Sequence, residues 1–330
     1  MNLFQKVAVA ACVSLAVLIF VGAIVRATGA GMGCPDWPTC WGCLIPPTSA
    51  DQIDPEKLDI EKYRQKAQQF GIDPESITKE SIIANYNPVH TWTEYLNRLT
   101  SLPLGLLTLA TFLMSFKQWK KRPSVTLGAT AALILLLVNA WMGARIVYSG
   151  LAPGVITLHM ALAILMLCVL VYVAWRGSDK PWSMPASCRH GGLRKIATLL
   201  FILILAEGVL GSQIREKTDE LKKTHSSAPR SEWVGELEQS TTYLIHRSGS
   251  WLILFVAGLF FYRSMQQKTG GAKLEYLILG IVLAQMCLGL ILSQVGILPF
   301  AQVLHVGLSS ILVSGMLLWL LGAKRPVQGS

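Results

Sequence analysis

Apolar residues fill this chain in eight runs of about 20 residues, the length needed to cross a hydrocarbon core of about 30 Å. The runs lie near 7–27, 93–116, 124–148, 155–175, 195–215, 242–262, 274–292 and 302–322. The polar segments between them are of two kinds. One kind is basic: Lys117, Lys120, Lys121, Arg122, Arg176, Arg194, Lys195, Arg263 and Lys273 face only Asp179 and Glu275. The other kind is the pair of long segments 28–92 and 216–240, where acids outnumber bases. This asymmetry predicts an all-α integral membrane protein with eight transmembrane helices and both termini cytoplasmic. The first run, behind Lys6, has the look of a signal peptide, but the match of its end to the fifth run makes it part of the fold.

The pattern is duplicated. Gly143, Gly150, Pro153, Leu158 and His159 recur at a constant displacement as Gly289, Gly296, Pro299, Leu304 and His305. Each copy reads as a helix end, a tight turn and the first turn of a helix that carries a histidine. Tyr95-Leu96-Asn97-Arg98 likewise matches Leu244-Ile245-His246-Arg247, and Gly22 to Arg26 matches Gly211 to Arg215. The chain therefore divides into two repeated four-helix bundles, residues 1–180 and 190–330. Residues 48–88 have no counterpart of similar length and read as a solvated outer cap. Within it, Glu56 to Lys66 predicts a short helix and Asp73-Pro74-Glu75-Ser76 a helix start. The segment 216–240 reads as a polar loop.

A chain of 330 residues that is 52% hydrophobic and 15% charged is no soluble domain. Its net charge of +10 reports topology and not a nucleic-acid partner, because the cations sit beside membrane runs. Nucleotide-binding and hydrolase motifs are missing from any credible setting; Gly29-Ala30-Gly31-Met32-Gly33 follows no strand.

Chemistry concentrates at the outer ends of the runs. Of six histidines, His190 and His225 fall in polar segments, whereas His159, His246 and His305 lie one or two turns inside the membrane. An imidazole there must meet a partner or line a cavity. His246 and His305, on the sixth and eighth runs, can face each other across a bundle as an axial pair for haem iron. In the first half His159 matches His305, but Asn97 stands where His246 stands. Asparagine is a poor iron ligand, so that half reads as a reacting site with one open face. His90, two turns before Asn97, is a candidate substitute.

Glu94 shares a helix face with Asn97 and is either a functional carboxylate or a helix-end charge. Arg26, Arg98, Arg145, Arg215 and Arg247 mark the outer rim, where arginines bind carboxylates such as haem propionates or simply snorkel. Glu207 is open to two readings, a proton path or a hydrogen bond to a neighbour such as Gln285. Three of the seven cysteines, Cys34, Cys40 and Cys43, sit on the oxidising side. A Cys34–Cys40 disulfide around Pro35-Asp36-Trp37-Pro38 is the expectation. A metal site with Cys43 is the alternative, although no nearby histidine completes a ligand set. Cys12, Cys168 and Cys287 read as small packing residues, and Cys188 as cytoplasmic.

With these residues in place the chain resembles the haem A synthase family over about residues 7–322. The specific segments are Gly22-Ala23-Ile24-Val25-Arg26-Ala27-Thr28-Gly29, Cys34-Pro35-Asp36-Trp37-Pro38-Thr39-Cys40, Glu94-Tyr95-Leu96-Asn97-Arg98, Thr157-Leu158-His159, Ile245-His246-Arg247 and Val303-Leu304-His305. The resemblance implies a bacterial inner-membrane enzyme with a resident haem b in the C-terminal bundle and haem O as substrate in the N-terminal one. A porphyrin methyl group would be oxidised to a formyl group by successive hydroxylations, with electrons from outside the enzyme. Haem O synthase would supply the substrate and haem-copper oxidases would use the product; self-association is left open. Carried over, His246 and His305 bind the resident haem, His159 faces the substrate, Glu94 is the catalytic-site carboxylate, and Cys34 and Cys40 are the loop cysteines. Asn97 departs from the histidine of many members, and 216–240 lacks the cysteine pair some carry. The competing readings are a non-enzymatic b-type cytochrome taking electrons from quinol and a repeat-built transporter, the latter disfavoured because the polar residues avoid the midplane.

Overall fold

The first run folds as α1 (Leu3–Ala27), started by Asn2, whose side chain accepts the Gln5 N–H at 2.8 Å. The computed structural model describes residues 1–69, 73–151, 154–184, 191–225, 228–267, 269 and 271–323. Pro153, Cys188 and His190 lie outside them.

After α1 the chain enters the outer cap. Short 3-10 turns, two of them opened by Asp54 and Asp73 capping a following Pro-Glu pair, alternate with α2 (Ile60–Gln69) and α3 (Lys79–Ala84). A reciprocal Thr78–Ser81 capping box starts α3. The cap is more than a solvated appendage. Ile53, Leu58 and Ile82 are buried with Cys34, Cys40 and Trp41 in one apolar cluster, so the insertion folds down over the cysteine turn. Trp41 meets the Tyr86 ring edge-on at 5.1 Å.

The remaining helices are α4 (Pro88–Ser115), α5 (Pro123–Tyr148), α6 (Val155–Arg176), α7 (Gly191–Thr224), α8 (Arg230–Gln239), α9 (Thr241–Gln267), α10 (Ala272–Leu290) and α11 (Pro299–Gly322). Proline opens α4, α5 and α11, where its missing N–H is not needed. A π-helical turn, Ile291–Val295, prolongs α10. The expected loop 216–240 is corrected: α7 runs on to Thr224, and α8 occupies most of what remains. Charged residues such as Lys217 and Glu220, paired at 3.1 Å, extend a helix beyond its apolar run, which a hydropathy boundary cannot reveal.

Among the described residues seven helices are long and apolar enough to cross a membrane: α1, α4, α5, α6, α9, α10 and α11. The fifth apolar run lies in α7. The protein is a multi-pass membrane protein. Leu106, Leu137 and Phe255 are exposed, as lipid-facing side chains are. So is Cys287, which corrects its expected packing role: it lies on the outer face of α10. α1 packs against α4 and α6, and α5 against the same two. α7 packs against α9 and α11, and α10 against those two. α11 then meets α1 and α6, and α7 meets α6.

Candidate functional site

The repeated positions meet in space as glycine and side-chain pairs. A Cβ placed on Gly211 of α7 would lie 3.4 Å from Cε1 of His246 on α9, and one on Gly289 of α10 would lie 3.7 Å from Cε1 of His305 on α11. In the other half, a Cβ on Gly143 of α5 would lie 3.9 Å from Cε1 of His159 on α6, and one on Gly22 of α1 would lie 3.8 Å from Oδ1 of Asn97 on α4. Each glycine thus lets a helix pass close to the ring or amide of its neighbour. α9, with His246, and α11, with His305, both pack against α7 and α10.

The imidazoles are only partly engaged. Nδ1 of His159, His246 and His305 is buried without a hydrogen-bond partner, as is Oδ1 of Asn97. Nδ1 of His246 lies 3.0 Å from Oε1 of Glu207, close but not aligned as a hydrogen bond. Glu207 accepts the Ser250 hydroxyl at 2.7 Å. Gln285, one of the neighbours considered for it, donates to the His305 carbonyl at 2.8 Å. α7 and α10 do not pack against each other as neighbours, so Glu207 reaches α9 while Gln285 reaches α11.

The rim arginines separate into different jobs. Arg26 and Arg215, equivalent in the repeat, converge on Asp219 at 3.6 and 3.0 Å. Nε and Nη2 of Arg26 are buried and have no hydrogen-bond partner. Gln302, one turn before His305, can turn its amide oxygen to Arg215 at 3.1 Å. Arg247 and Arg145 are exposed. Arg98, expected beside a propionate, is spent elsewhere: Nη1 donates to the carbonyls of Asp36 (2.7 Å) and Thr39 (2.8 Å), and Nη2 to that of Cys34 (3.0 Å) and to Glu94 (2.6 Å).

Glu94 is buried at the same place. Its Oε2 accepts the Cys34 N–H at 2.8 Å while Oε1 pairs with Arg98. The sulfurs of Cys34 and Cys40 lie at disulfide distance, with Cα atoms 4.7 Å apart. Asp36 ties the same turn by accepting from the Thr39 hydroxyl and from the N–H groups of Trp41 (2.7 Å) and Gly42 (3.0 Å). Cys40 and Cys43 exchange backbone hydrogen bonds of 2.8 and 3.2 Å. Among the described residues no group of three His, Cys, Asp or Glu side chains gathers to hold a metal ion, so Cys43 does not complete such a site. Tyr63 of the cap, buried above this turn, has its phenol pushed up by desolvation. His90 lies at the head of α4, its backbone so close to Gly33 that a Cβ there would collide with it.

One partnership was beyond sequence reasoning. Glu216 of α7 accepts the N–H of Gly154 and of Thr157 at 3.0 Å each, and the Thr157 hydroxyl at 3.0 Å. It caps the helix that carries His159, across the seam between the halves. Only its place among acids that follow the fifth run hinted at a role.

Buried nitrogens without partners are rare in folded proteins unless a ligand meets them. Imidazoles on α9 and α11, clearance from glycines and unmatched arginine donors fit a haem with its propionates. The class is therefore a multi-pass helical membrane protein with partly buried imidazoles on its helices. A family model described as Cytochrome oxidase assembly protein (COX15-CtaA) matches residues 5–317, and the chain belongs to that family. Similar proteins called Heme A synthase include one from Sphingopyxis alaskensis, 26% identical over 319 residues covering 90% of this chain and 85% of that one. Another, from Nitrosospira multiformis, is 26% identical over 302 residues, 84% of this chain and 82% of that one. A third, from Bartonella quintana, is 26% identical over 205 residues, 60% of this chain; there the chain spans about half the relative's length (53%).

Proposed function

We propose that the protein oxidises a methyl group of haem O to a formyl group by successive hydroxylations, the haem A synthase reaction. The observation that carries this reading is the unequal pair of sites: His246 with His305 in one half, and His159 opposite Asn97 in the other. Family membership supports it, as do relatives that carry the name of that enzyme.

In this reading the chain forms two repeated four-helix bundles, α1, α4, α5 and α6 followed by α7, α9, α10 and α11, with both termini cytoplasmic. The packing order of the helices supports it. His246 and His305 would hold a resident haem b, which would supply one-electron transfer. His159 faces the substrate haem from one side, and Asn97 leaves the other side without a strong ligand. Glu94 is the carboxylate nearest that open side and holds or moves a proton there. Arg26, Arg215 and Arg247 are the partners for propionates, and Arg98 acts through the loop it clamps. Haem O comes from haem O synthase, and the product goes to haem-copper oxidases.

The test is direct. Expressed with a haem O supply, the protein should yield haem A on extraction. A resident haem b spectrum with haem O left unconverted would leave only an electron-transfer cytochrome.

A further inference from the structure

We propose that Glu207 is the positioning residue for His246, an acceptor for its Nδ1–H that fixes the tautomer and orients Nε2 toward the iron. The inference rests on the reading of His246 as a haem ligand and goes beyond it.

Four observations carry it. Oε1 of Glu207 lies 3.0 Å from Nδ1 of His246, so a small rotation of the ring aligns the bond. Ser250, one turn beyond His246 on α9, donates to the same oxygen at 2.7 Å and holds the carboxyl in place. Gly249 makes room, because a Cβ there would lie 2.7 Å from Oε2 of Glu207. Finally, the arrangement follows the repeat. Glu207 stands one helical turn before Gly211, the glycine that faces His246. At the equivalent place before Gly289, which faces His305, stands Gln285, and before Gly143, which faces His159, stands Asn139. Oε1 of Gln285 and Oδ1 of Asn139 are buried acceptors without partners, and Nδ1 of His305 and of His159 also lacks one. Before Gly22, which faces Asn97, stands Leu18. A polar acceptor accompanies each histidine and is absent where the histidine is absent.

The physical reason is general. A ligating histidine donates its distal N–H to an oxygen, which selects the tautomer and makes the metal-bound nitrogen a stronger donor. A partly buried carboxylate about two turns inside a membrane run is otherwise costly. Of the three acceptors, only Glu207 carries an acid, and its oxygen is the strongest acceptor of the set. His246 is thereby the stronger donor of the axial pair and favours oxidised iron.

The experiment uses the full chain purified with its resident haem, compared with Glu207→Gln and Glu207→Leu. Three readouts are taken: the midpoint potential, the electron paramagnetic resonance of the oxidised haem, and the rate of haem transfer to apomyoglobin. Glu207→Leu should raise the potential, shift the resonance and weaken haem retention about 10–100-fold, the usual effect of losing such a partner. Glu207→Gln keeps the shape and an acceptor oxygen, so it should move each readout in the same direction by less. Should the Leu variant fail to assemble, the Gln variant decides. Unchanged potential and retention in the variant that assembles overturn the proposal. His246→Ala separates the two layers. If it keeps the low-spin haem, the ligand reading fails; if it loses that haem while Glu207→Leu changes nothing, only the positioning role fails.

Discussion

The two halves of the chain place their glycines against the same two matched positions yet furnish them differently. In the second half Gly211 and Gly289 face His246 and His305, with Glu207 and Gln285 one turn deeper. In the first, Gly22 and Gly143 face Asn97 and His159, with Leu18 and Asn139 at those depths. The α1–α4 seam has thus lost both the imidazole and its acceptor. In the proposed reading, this difference would separate a site with two imidazoles from one with a free side, while the glycine clearance is present in both.

The largest effect should break the comparison outright. His246→Ala or His305→Ala is expected to abolish the low-spin haem b spectrum of the purified protein. His159→Ala should leave that spectrum intact and remove haem O conversion. Loss of the resident spectrum in the His159 variant alone would reverse the assignment of the halves.

Next in size is Glu94, whose second-half counterpart is Tyr243. Removing a positioned acid or base slows a reaction by about 10²–10⁴, and Glu94→Gln should lower haem O conversion by that order while the resident spectrum stays. The carboxylate also holds the Cys34 N–H and Arg98, so the loop must be checked in the same sample. Peptide mass spectrometry without reduction should still find Cys34 linked to Cys40. Conversion at the normal rate would leave Glu94 as a loop clamp only.

A smaller change sharpens the contrast at Asn97. Its Oδ1 is buried without a partner and faces Gly22. Asn97→His should make the substrate haem six-coordinate and low-spin, read by optical and resonance spectra of the haem O-loaded protein. An unchanged spin state would mean that position 97 does not face the ring.

Among the described residues, seven of the eight expected spans were legible because length and hydropathy set them, and a constant displacement links His159 with His305 in the sequence. Three features were out of its reach. Arg98 reads as a rim cation, yet its partners are three carbonyls of a turn whose shape exists only once Cys34, Cys40 and Asp36 have folded it. The segment 48–88 reads as solvated because its charges are numerous, while the few residues that form its core, Ile53, Leu58 and Ile82, carry no period. Glu207 could be placed on a helix but not aimed, since aiming depends on which helix α7 meets.

The least of the expected effects concerns the seam between the halves. Glu216 belongs to α7, yet it satisfies two N–H groups and one hydroxyl at the start of α6, where Gly154 offers no side-chain cap. A helix start without a cap loses about 1 kcal/mol, and the negative charge adds a few tenths through the helix dipole. Glu216→Ala should therefore lower the thermal midpoint of the purified protein by a few degrees. Because α6 carries His159 one turn further on, the substrate side should feel the change and the His246–His305 side should not. The resident haem b spectrum is expected to stay constant while the apparent affinity for haem O weakens several-fold, measured by titration. A shift of the resident spectrum with unchanged haem O affinity would show that Glu216 supports the second half, and the seam would then run the other way.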